Sequence, residues 1–428
     1  MAIVRIDVLP VPITLSVRRE SLTIFQDDRA GQGVMAFTFD AAGRLVSAFL
    51  DGKTYRRSLA NDVLEKSAGP QAGLAWRARR LLERHEVQQL EQRAYAFARQ
   101  VAAYLEADKA LQPNDADRAT ALDFLSRIAL YDFARLEAER ETYRAIYGRV
   151  PIMPPDQYLA LALQATEGCS FNACTFCGFY RDRSFRVKSP DEFRRHIIEV
   201  KTFLGFSLSL RRSIFLGDAN ALLIPQPALL DIFDALHRAF DIAPNGLSPA
   251  ELRAWRAHCS LPMEGVYSFV DAFSTRRKTV DEFAQLAERG LRRVYVGLET
   301  GDAELLRFLG KPNTPADVLE LVDRLKQAGV HVGVIILAGA GGQAFAEQHV
   351  AHTVEVINHM RLGARDLIYF SELIDYPGSE YAQKAAQAGI APLSVEEIEQ
   401  QMRVMRAAFR FAGSPPTISF YDVREFVY

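Results

Sequence analysis

From Tyr158 onward, short apolar runs recur with longer mixed stretches between them: QYLALALQA, RSIFLGD, GVYSFVDAF, RVYVGLE, HVGVIILAG and DLIYFSEL. Runs this short, nearly continuous in apolar residues and bounded by turn residues, suit strands buried on both faces, and the stretches between them carry helical spacing. Six β-α repeats predict a parallel sheet. Strand-helix-strand crossovers are right-handed, so repeating them curls the sheet into a barrel or partial barrel whose loops collect at the strands' C-terminal ends. Upstream the pattern differs. Residues 1–70 alternate apolar and polar positions around turn signals, as in FTFDAAGRLVSAFLDGKTYRR, where Asp51-Gly52 predicts a hairpin turn. From Gln71 to Tyr147 the period becomes helical, with Leu81, Leu82, His85, Leu90, Tyr95 and Phe97 among many Arg, Glu and Gln, and Asn114 and Asp115 suit an N-cap between two helices. Pro151, Pro154 and Pro155 cannot continue a helix and start a new domain. The expected fold class is therefore α/β. A β-rich unit spans 1–70, a helical segment 71–150, a partial (β/α)6 TIM-like barrel core 151–385, and a C-terminal helix and strand extension 386–428. In that extension TISFYDVREFVY is aromatic and strand-like, suited either to closing the barrel's open side or to an ordinary edge strand.

Composition narrows the function classes. The chain has 428 residues, 49% hydrophobic and 24% charged, which is ordinary globular composition. A formal net charge of -2 argues against a partner held by neutralising many phosphates, so a nucleic-acid substrate is disfavoured. No run of eighteen apolar residues exists, and the opening MAIVRIDVLPVPITLSVRRE lacks a signal-peptide layout, so no membrane association is expected. Four cysteines, three of them crowded together, do not make a disulfide framework and point to a reducing, cytoplasmic setting.

The crowded three are Cys169, Cys174 and Cys177 in GCSFNACTFCGFY. A cluster of four irons normally takes four thiolates, so three close cysteines without a fourth leave one iron open for a ligand. A closed zinc site would need further ligands, and none of the eight histidines lies in the motif or at ligand spacing from it. The motif resembles that of the radical S-adenosylmethionine (SAM) superfamily, three cysteines with an aromatic, here Phe176, just before the third. The spacing is C-x4-C-x2-C, one residue longer in the first gap than the commonest form. The resemblance extends over about Tyr158 to Tyr381. It implies a [4Fe-4S] cluster on the three cysteines and SAM chelating the open iron. It further implies oxygen-sensitive reductive cleavage of SAM to methionine and a 5′-deoxyadenosyl radical, with the protein positioning and shielding the cofactor.

The strand ends supply the remaining candidates. After the second strand, FLGDAN offers Gly217 for close backbone approach and Asp218 as a carboxylate for a cationic amine. It is partly similar to the family's SAM-amine motif of two glycines and a glutamate. A plain tight turn is the alternative. The fourth strand ends in VGLETGDAELLRFLGKP, where Glu299 and Thr300 stand at the family's ribose-binding position and Lys311 follows; a helix N-terminal acid is the alternative. On the fifth strand, Ile335 with Ile336 would meet the adenine, and Gly339, Gly341 and Gly342 would let backbone come close. Polar residues inside a barrel need a partner or a ligand, so Ser268 and Asp271 on the third strand and Tyr369 and Ser371 on the sixth are candidate substrate lining. Arg181, Arg183, Arg186 and Lys188 could meet an anion or be solvated. His349 and His352, three apart on an expected helix, could coordinate a metal or face a substrate, with a packing or surface role favoured, and Cys259 suits a buried free thiol.

The expected function is a radical SAM enzyme abstracting hydrogen from a small or medium-sized metabolite, with flavodoxin or ferredoxin as reductant. The alternatives are an iron-sulfur electron-transfer or scaffold protein without SAM cleavage, and radical SAM modification of a protein or RNA. The lack of a further cysteine cluster disfavours relatives with auxiliary clusters. The absence of an Asp-x-His-x-x-Gly signature disfavours a cobalamin-dependent methyltransferase.

Overall fold

The computed structural model describes residues 2–6, 11–28, 33–68, 77–107, 115–376 and 378–428. It divides into two compact units. The first comprises Met1–Val150, Ile198–Arg211 and Arg424–Tyr428, and the second Pro151–Ile197 and Arg212–Val423.

In the first unit eight strands pair antiparallel in chain order. They are β1 (Ala2–Ile6), β2 (Ile13–Val17), β3 (Ser21–Asp28), β4 (Gly33–Asp40), β5 (Leu45–Leu50), β6 (Lys53–Arg57), β7 (Val63–Ala68) and β8 (Arg77–Leu81), followed by α1 (Arg84–Ala107), α2 (Asp115–Ile128) and α3 (Phe133–Ile146). Alternation sends Val4, Ile6, Leu15, Ile24, Phe37 and Phe39 to one face, where they pack on Val87, Ala94, Tyr95, Ala98 and Val101 of α1. Asp51-Gly52 is the two-residue turn between β5 and β6, with φ of 52° and 74°. Arg77–Leu81 is a strand rather than the start of a helix: cross-strand pairing to β7 outweighs the helical propensity of its arginines. Residues 71–76 and the Asn114 side of the expected N-cap lie outside the described residues.

The second unit is built on a parallel sheet of seven strands. In chain order it contains β9 (Leu161–Gln164), the short hairpin partners β10 (Thr166–Glu167) and β11 (Arg186–Val187), the part of α4 (Pro190–Leu204) up to Ile197, β12 (Ile214–Gly217), α5 (Gln226–Ala239), β13 (Asp241–Ile242), α6 (Pro249–His258), β14 (Pro262–Met263), β15 (Val266–Val270), α7 (Val280–Glu288), β16 (Leu291–Glu299), α8 (Ala303–Phe308), α9 (Pro315–Gln327), β17 (His331–Ala338), α10 (Gly342–His359), β18 (Leu367–Glu372), α11 (Glu380–Gln387), α12 (Val395–Ala408) and β19 (Thr417–Phe420). The sheet runs β9-β12-β15-β16-β17-β18-β19 without reversal, which is barrel order rather than doubly wound order. The outer strands β9 and β19 do not pair with each other, so the barrel is partial. Six of the strands are the six apolar runs, and the seventh is the TISF segment, added parallel to β18.

One face of the sheet packs on helices and the other lines the interior. Phe215, Phe269 and Tyr295, on neighbouring strands, bring their rings within 5.1 to 6.2 Å of one another. Gly333 leaves the space that the Tyr295 ring occupies: a Cβ there would lie 2.5 Å from it. Toward the strands' N-terminal ends, Asp156 accepts from Tyr295 Oη at 2.5 Å, Tyr369 Oη at 2.9 Å and Arg293 Nη1 at 2.9 Å. Packed rings and this carboxylate fill the lower interior, leaving the C-terminal ends for chemistry.

Candidate functional site

The cysteine loop leaves the end of β9 and returns to it. Its base is the β10-β11 ladder, where Glu167 pairs with Arg186 and Thr166 with Val187. The Glu167 carboxylate accepts from Arg186 Nε and Nη2, both at 2.9 Å, and from Lys188 Nζ. Burial pushes its pKa up, but these two cations outweigh that and hold it below the ordinary value. Gly168 opens the loop at φ 76°, and a Cβ on it would crowd the Ser184 carbonyl at 3.0 Å. Within the loop, Cys169 Sγ accepts from the Asn172 N–H at 3.3 Å, and Asn172 Nδ2 donates to the Tyr180 carbonyl at 2.9 Å. Arg181 donates to the carbonyls of Cys174 and Cys177 and pairs with Glu380. The Thr175 N–H donates to the Leu309 carbonyl at 3.0 Å, docking the loop on the turn before Lys311. Phe176 packs into an apolar cluster with Leu305, Leu309, Leu337 and Tyr381. Three half-buried thiols are thus held on a braced loop at the strand ends.

Asp218 lies directly beneath this loop and is buried. Its Oδ1 accepts from Gln164 Nε2 at 2.8 Å and its Oδ2 from the Gly168 N–H at 3.0 Å, with Arg183 Nη1 at 3.6 Å. Burial dominates and raises its pKa. Both oxygens therefore meet donors of the chain itself. The sequence alone does not mark Gln164 as a site residue. The available signal was a polar residue ending an otherwise apolar strand directly before the cysteine loop.

Across the barrel, β16 ends in a bulge that places Glu299 at φ 61°. Lys311 Nζ donates to Glu299 Oε1 and to the Gly297 carbonyl, each at 2.9 Å. Burial disfavours the ammonium, but Glu299 and then Cys174 hold the Lys311 pKa above its usual value. Glycine at 297 is required because the Glu299 carboxylate folds back over it: a Cβ would lie 2.2 Å from Oε1. Thr300 next to it turns away, fully buried, with its hydroxyl 2.7 Å from His349 Nδ1. His352 pairs with Asp302 at 2.7 Å. The two histidines serve separate structural contacts and form no site together.

The other candidates separate by strand parity. Ile335 is half-buried and shares the interior face with Tyr369, its ladder partner, whereas Ile336 is fully buried on the helix side. Ser268 faces the helices with Val266 and Val270 and donates to the Leu216 carbonyl at 2.7 Å. Asp271 continues the Phe269 face and accepts from Asn220 Nδ2 at 2.8 Å and from Ser274. Tyr369 reaches down to Asp156, while Ser371, two residues on, is nearer the rim. Gly339 and Gly341, both at positive φ, serve packing: their N–H groups donate to Gln401 Oε1 and Tyr381 Oη at 2.9 Å, and a Cβ on Gly341 would strike Phe345 and Leu305. Arg186 and Lys188 are paired with acids at the loop base, as described. Cys259 ends α6 half-buried rather than buried.

The donor set suits a cluster rather than a single ion. Among the described residues no three His, Cys, Asp or Glu side chains converge on one metal position. A [4Fe-4S] cluster spreads its thiolates over separate irons and needs no such convergence. Burial pushes Cys174 up to about 12 and Cys177 to about 11, so these sulfurs are proton-bearing unless a metal takes the proton's place. Soft, desolvated sulfurs on a rigid loop fit iron.

Residues 163–354, from the end of β9 into α10, match the model of the Radical SAM superfamily. This stretch is a radical SAM domain. The match supports both expected cofactors, a [4Fe-4S] cluster and S-adenosylmethionine. A protein of Pyrococcus horikoshii named as an uncharacterized methyltransferase is 24% identical over 245 residues, covering 54% of this chain and 45% of that protein. The chain thus spans less than half the length of that curated relative. Among solved structures, coproporphyrinogen III oxidase (HemN) from Escherichia coli, described as a radical SAM enzyme, is 14% identical over 62% of this chain and 55% of its own, with a TM-score of 0.40. The cobalamin-dependent S-adenosylmethionine radical enzyme OxsB is 13% identical over 67% and 32%, with a TM-score of 0.37. No helix among the described residues is long and apolar enough to cross a membrane.

Proposed function

We propose that the chain is a radical SAM enzyme whose Cys169, Cys174 and Cys177 hold a [4Fe-4S] cluster with one open iron, and that it abstracts hydrogen from a small or medium-sized metabolite. The observation that carries the reading is the braced three-thiol loop on the rim of a partial barrel, with a buried Glu299–Lys311 pair facing it. When bound, the cluster and S-adenosylmethionine supply one-electron cleavage of a carbon–sulfur bond, yielding methionine and a 5′-deoxyadenosyl radical. The chain's own residues position and enclose them. Glu299, oriented by Lys311, is an acceptor for ribose hydroxyls, and Ile335 is an apolar wall for the adenine. The interior below, with Asp271 and Ser371 nearer the rim, is the space for the substrate. Flavodoxin or ferredoxin is the fitting class of reductant.

The test is anaerobic. Protein reconstituted with iron and sulfide is given dithionite and S-adenosylmethionine, and 5′-deoxyadenosine is quantified beside a Cys169→Ala, Cys174→Ala, Cys177→Ala triple variant. Formation by the wild type alone is expected. A full cluster without any cleavage product, with flavodoxin as well as dithionite, would favour an electron-transfer or scaffold role. The name of the Pyrococcus relative favours methyl transfer as a second reading. Its signature in the same assay is S-adenosylhomocysteine.

A further inference from the structure

Gln164, the last residue of β9, is 1% exposed. Asp218 decides how its amide points. A carboxylate only accepts, so the 2.8 Å contact to Asp218 Oδ1 comes from Gln164 Nε2, and Oε1 is left on the other side. That oxygen is buried and receives no hydrogen bond. Directly across the ladder Gln164 pairs with Gly217, so both present the same face, the interior one that Phe215 also presents. A Cβ built on Gly217 meets nothing within 4 Å. The acceptor is thus fixed and buried, its ladder partner Gly217 has open space over its Cα, and an unmade hydrogen bond there is costly unless a ligand completes it. The ligand group must be a donor. The adjoining Asp218 carboxylate favours an electropositive one over an anion, and Arg183 Nη1 lies 3.6 Å from its other oxygen, Oδ2.

We infer that Gln164, rather than Asp218, makes the direct contact: its Oε1 accepts from an N–H of the α-amino group of S-adenosylmethionine. Asp218 is a positioning residue that fixes the amide and, through the Gly168 N–H, the start of the cysteine loop. The inference rests on the functional reading above.

The experiment is anaerobic equilibrium dialysis of the reconstituted protein with S-adenosylmethionine and with 5′-methylthioadenosine, which keeps the adenosine and the sulfur but has neither amine nor carboxylate. Gln164→Met should weaken S-adenosylmethionine about 10-fold or more, the loss of one hydrogen bond to a charged group, and change methylthioadenosine less than ~2-fold. Asp218→Asn, which can donate to Oε1 and let the amide turn over, should show the same selective loss. Gly217→Ala, which adds one methyl to the open space, supplies a second probe if Gln164→Met fails to fold. Iron content and melting temperature are read for each variant. If the wild type binds S-adenosylmethionine and Gln164→Met binds it equally tightly, or loses both ligands alike, this inference is overturned and the functional reading stands. If the wild type does not bind it at all, both fall.

Discussion

At the residue scale the Glu299–Lys311 pair carries the most. The two side chains are 11% and 8% exposed, and Lys311 also holds the Gly297 carbonyl. Taking the cation away leaves a carboxylate buried in a left-handed backbone position with nothing to neutralise it. Breaking one side of a buried pair costs roughly 3–5 kcal/mol. Lys311→Met should therefore lower the denaturant midpoint of the iron-free protein substantially, and Glu299→Gln with Lys311→Met should recover part of the loss, because no charge then remains unpaired. Methylthioadenosine binding discriminates further: if Glu299 faces the ribose, both variants weaken it. A Lys311→Met protein as stable as wild type would show the pair to be dispensable to the fold. The neighbouring Thr300 illustrates a limit of reading residues singly. It follows Glu299 in the chain, yet its hydroxyl meets His349 on α10, a partner 49 positions away in the chain.

At the scale of elements the cysteine loop depends on its base. Glu167, Arg186 and Lys188 close a loop otherwise anchored at Gly168, Arg181 and Thr175, so Glu167→Ala should release Lys188, leave Arg186 to Glu192 and loosen the clamp. The expected result is faster loss of iron to a chelator, on the order of severalfold, with unchanged circular dichroism, since a partly exposed ion pair adds little to global stability. Iron retention equal to wild type would mean that the ladder hydrogen bonds alone suffice. The elements themselves were largely legible. Each of the six apolar runs is a strand of the parallel sheet, because burial on both faces leaves a continuous signature, and Asp51-Gly52 makes its turn because both positions need positive φ. What could not be read was which side chain faces which way. Ser268 and Asp271 are three apart and so fall on opposite faces, as do the adjacent Ile335 and Ile336. Gly339 and Gly341 look like a cofactor loop in one dimension, but the atoms that demand them belong to Ile398, Phe345 and Leu305, contacts that only the fold creates. Gln164 was hidden for the same reason: its meaning lies in Asp218, 54 positions on.

At the scale of the molecule, the first unit carries a pH response of its own, set by Glu91 and the first-unit groups around it. Glu91 on α1 is fully buried against the N-terminal sheet, and neither oxygen accepts a hydrogen bond of ordinary geometry. Burial pushes its pKa up to about 7, with Arg57 and Asn61 only partly offsetting it. The folded state therefore keeps this proton to a higher pH than the unfolded chain, whose glutamate titrates near 4.5. Between those values the unfolded state releases a proton that the folded state retains, so stability is fully present below about 4.5, declines as pH rises and is lost through about 7. A gap of this size amounts to about 3 kcal/mol. Glu91→Gln keeps the shape and removes the charge, so it should melt close to wild type at pH 5 and clearly above it at pH 8. Thermal melts of the iron-free protein at both pH values measure this, and hydrogen exchange in α1 and the strands it covers assigns the change to the first unit. A wild-type profile that is flat from pH 5 to 8, or a variant that gains nothing at pH 8, would mean that Glu91 reaches water or a donor when ionised. The helix would then be better accommodated to its charge than the packing of Val87, Ala94 and Tyr95 around it implies.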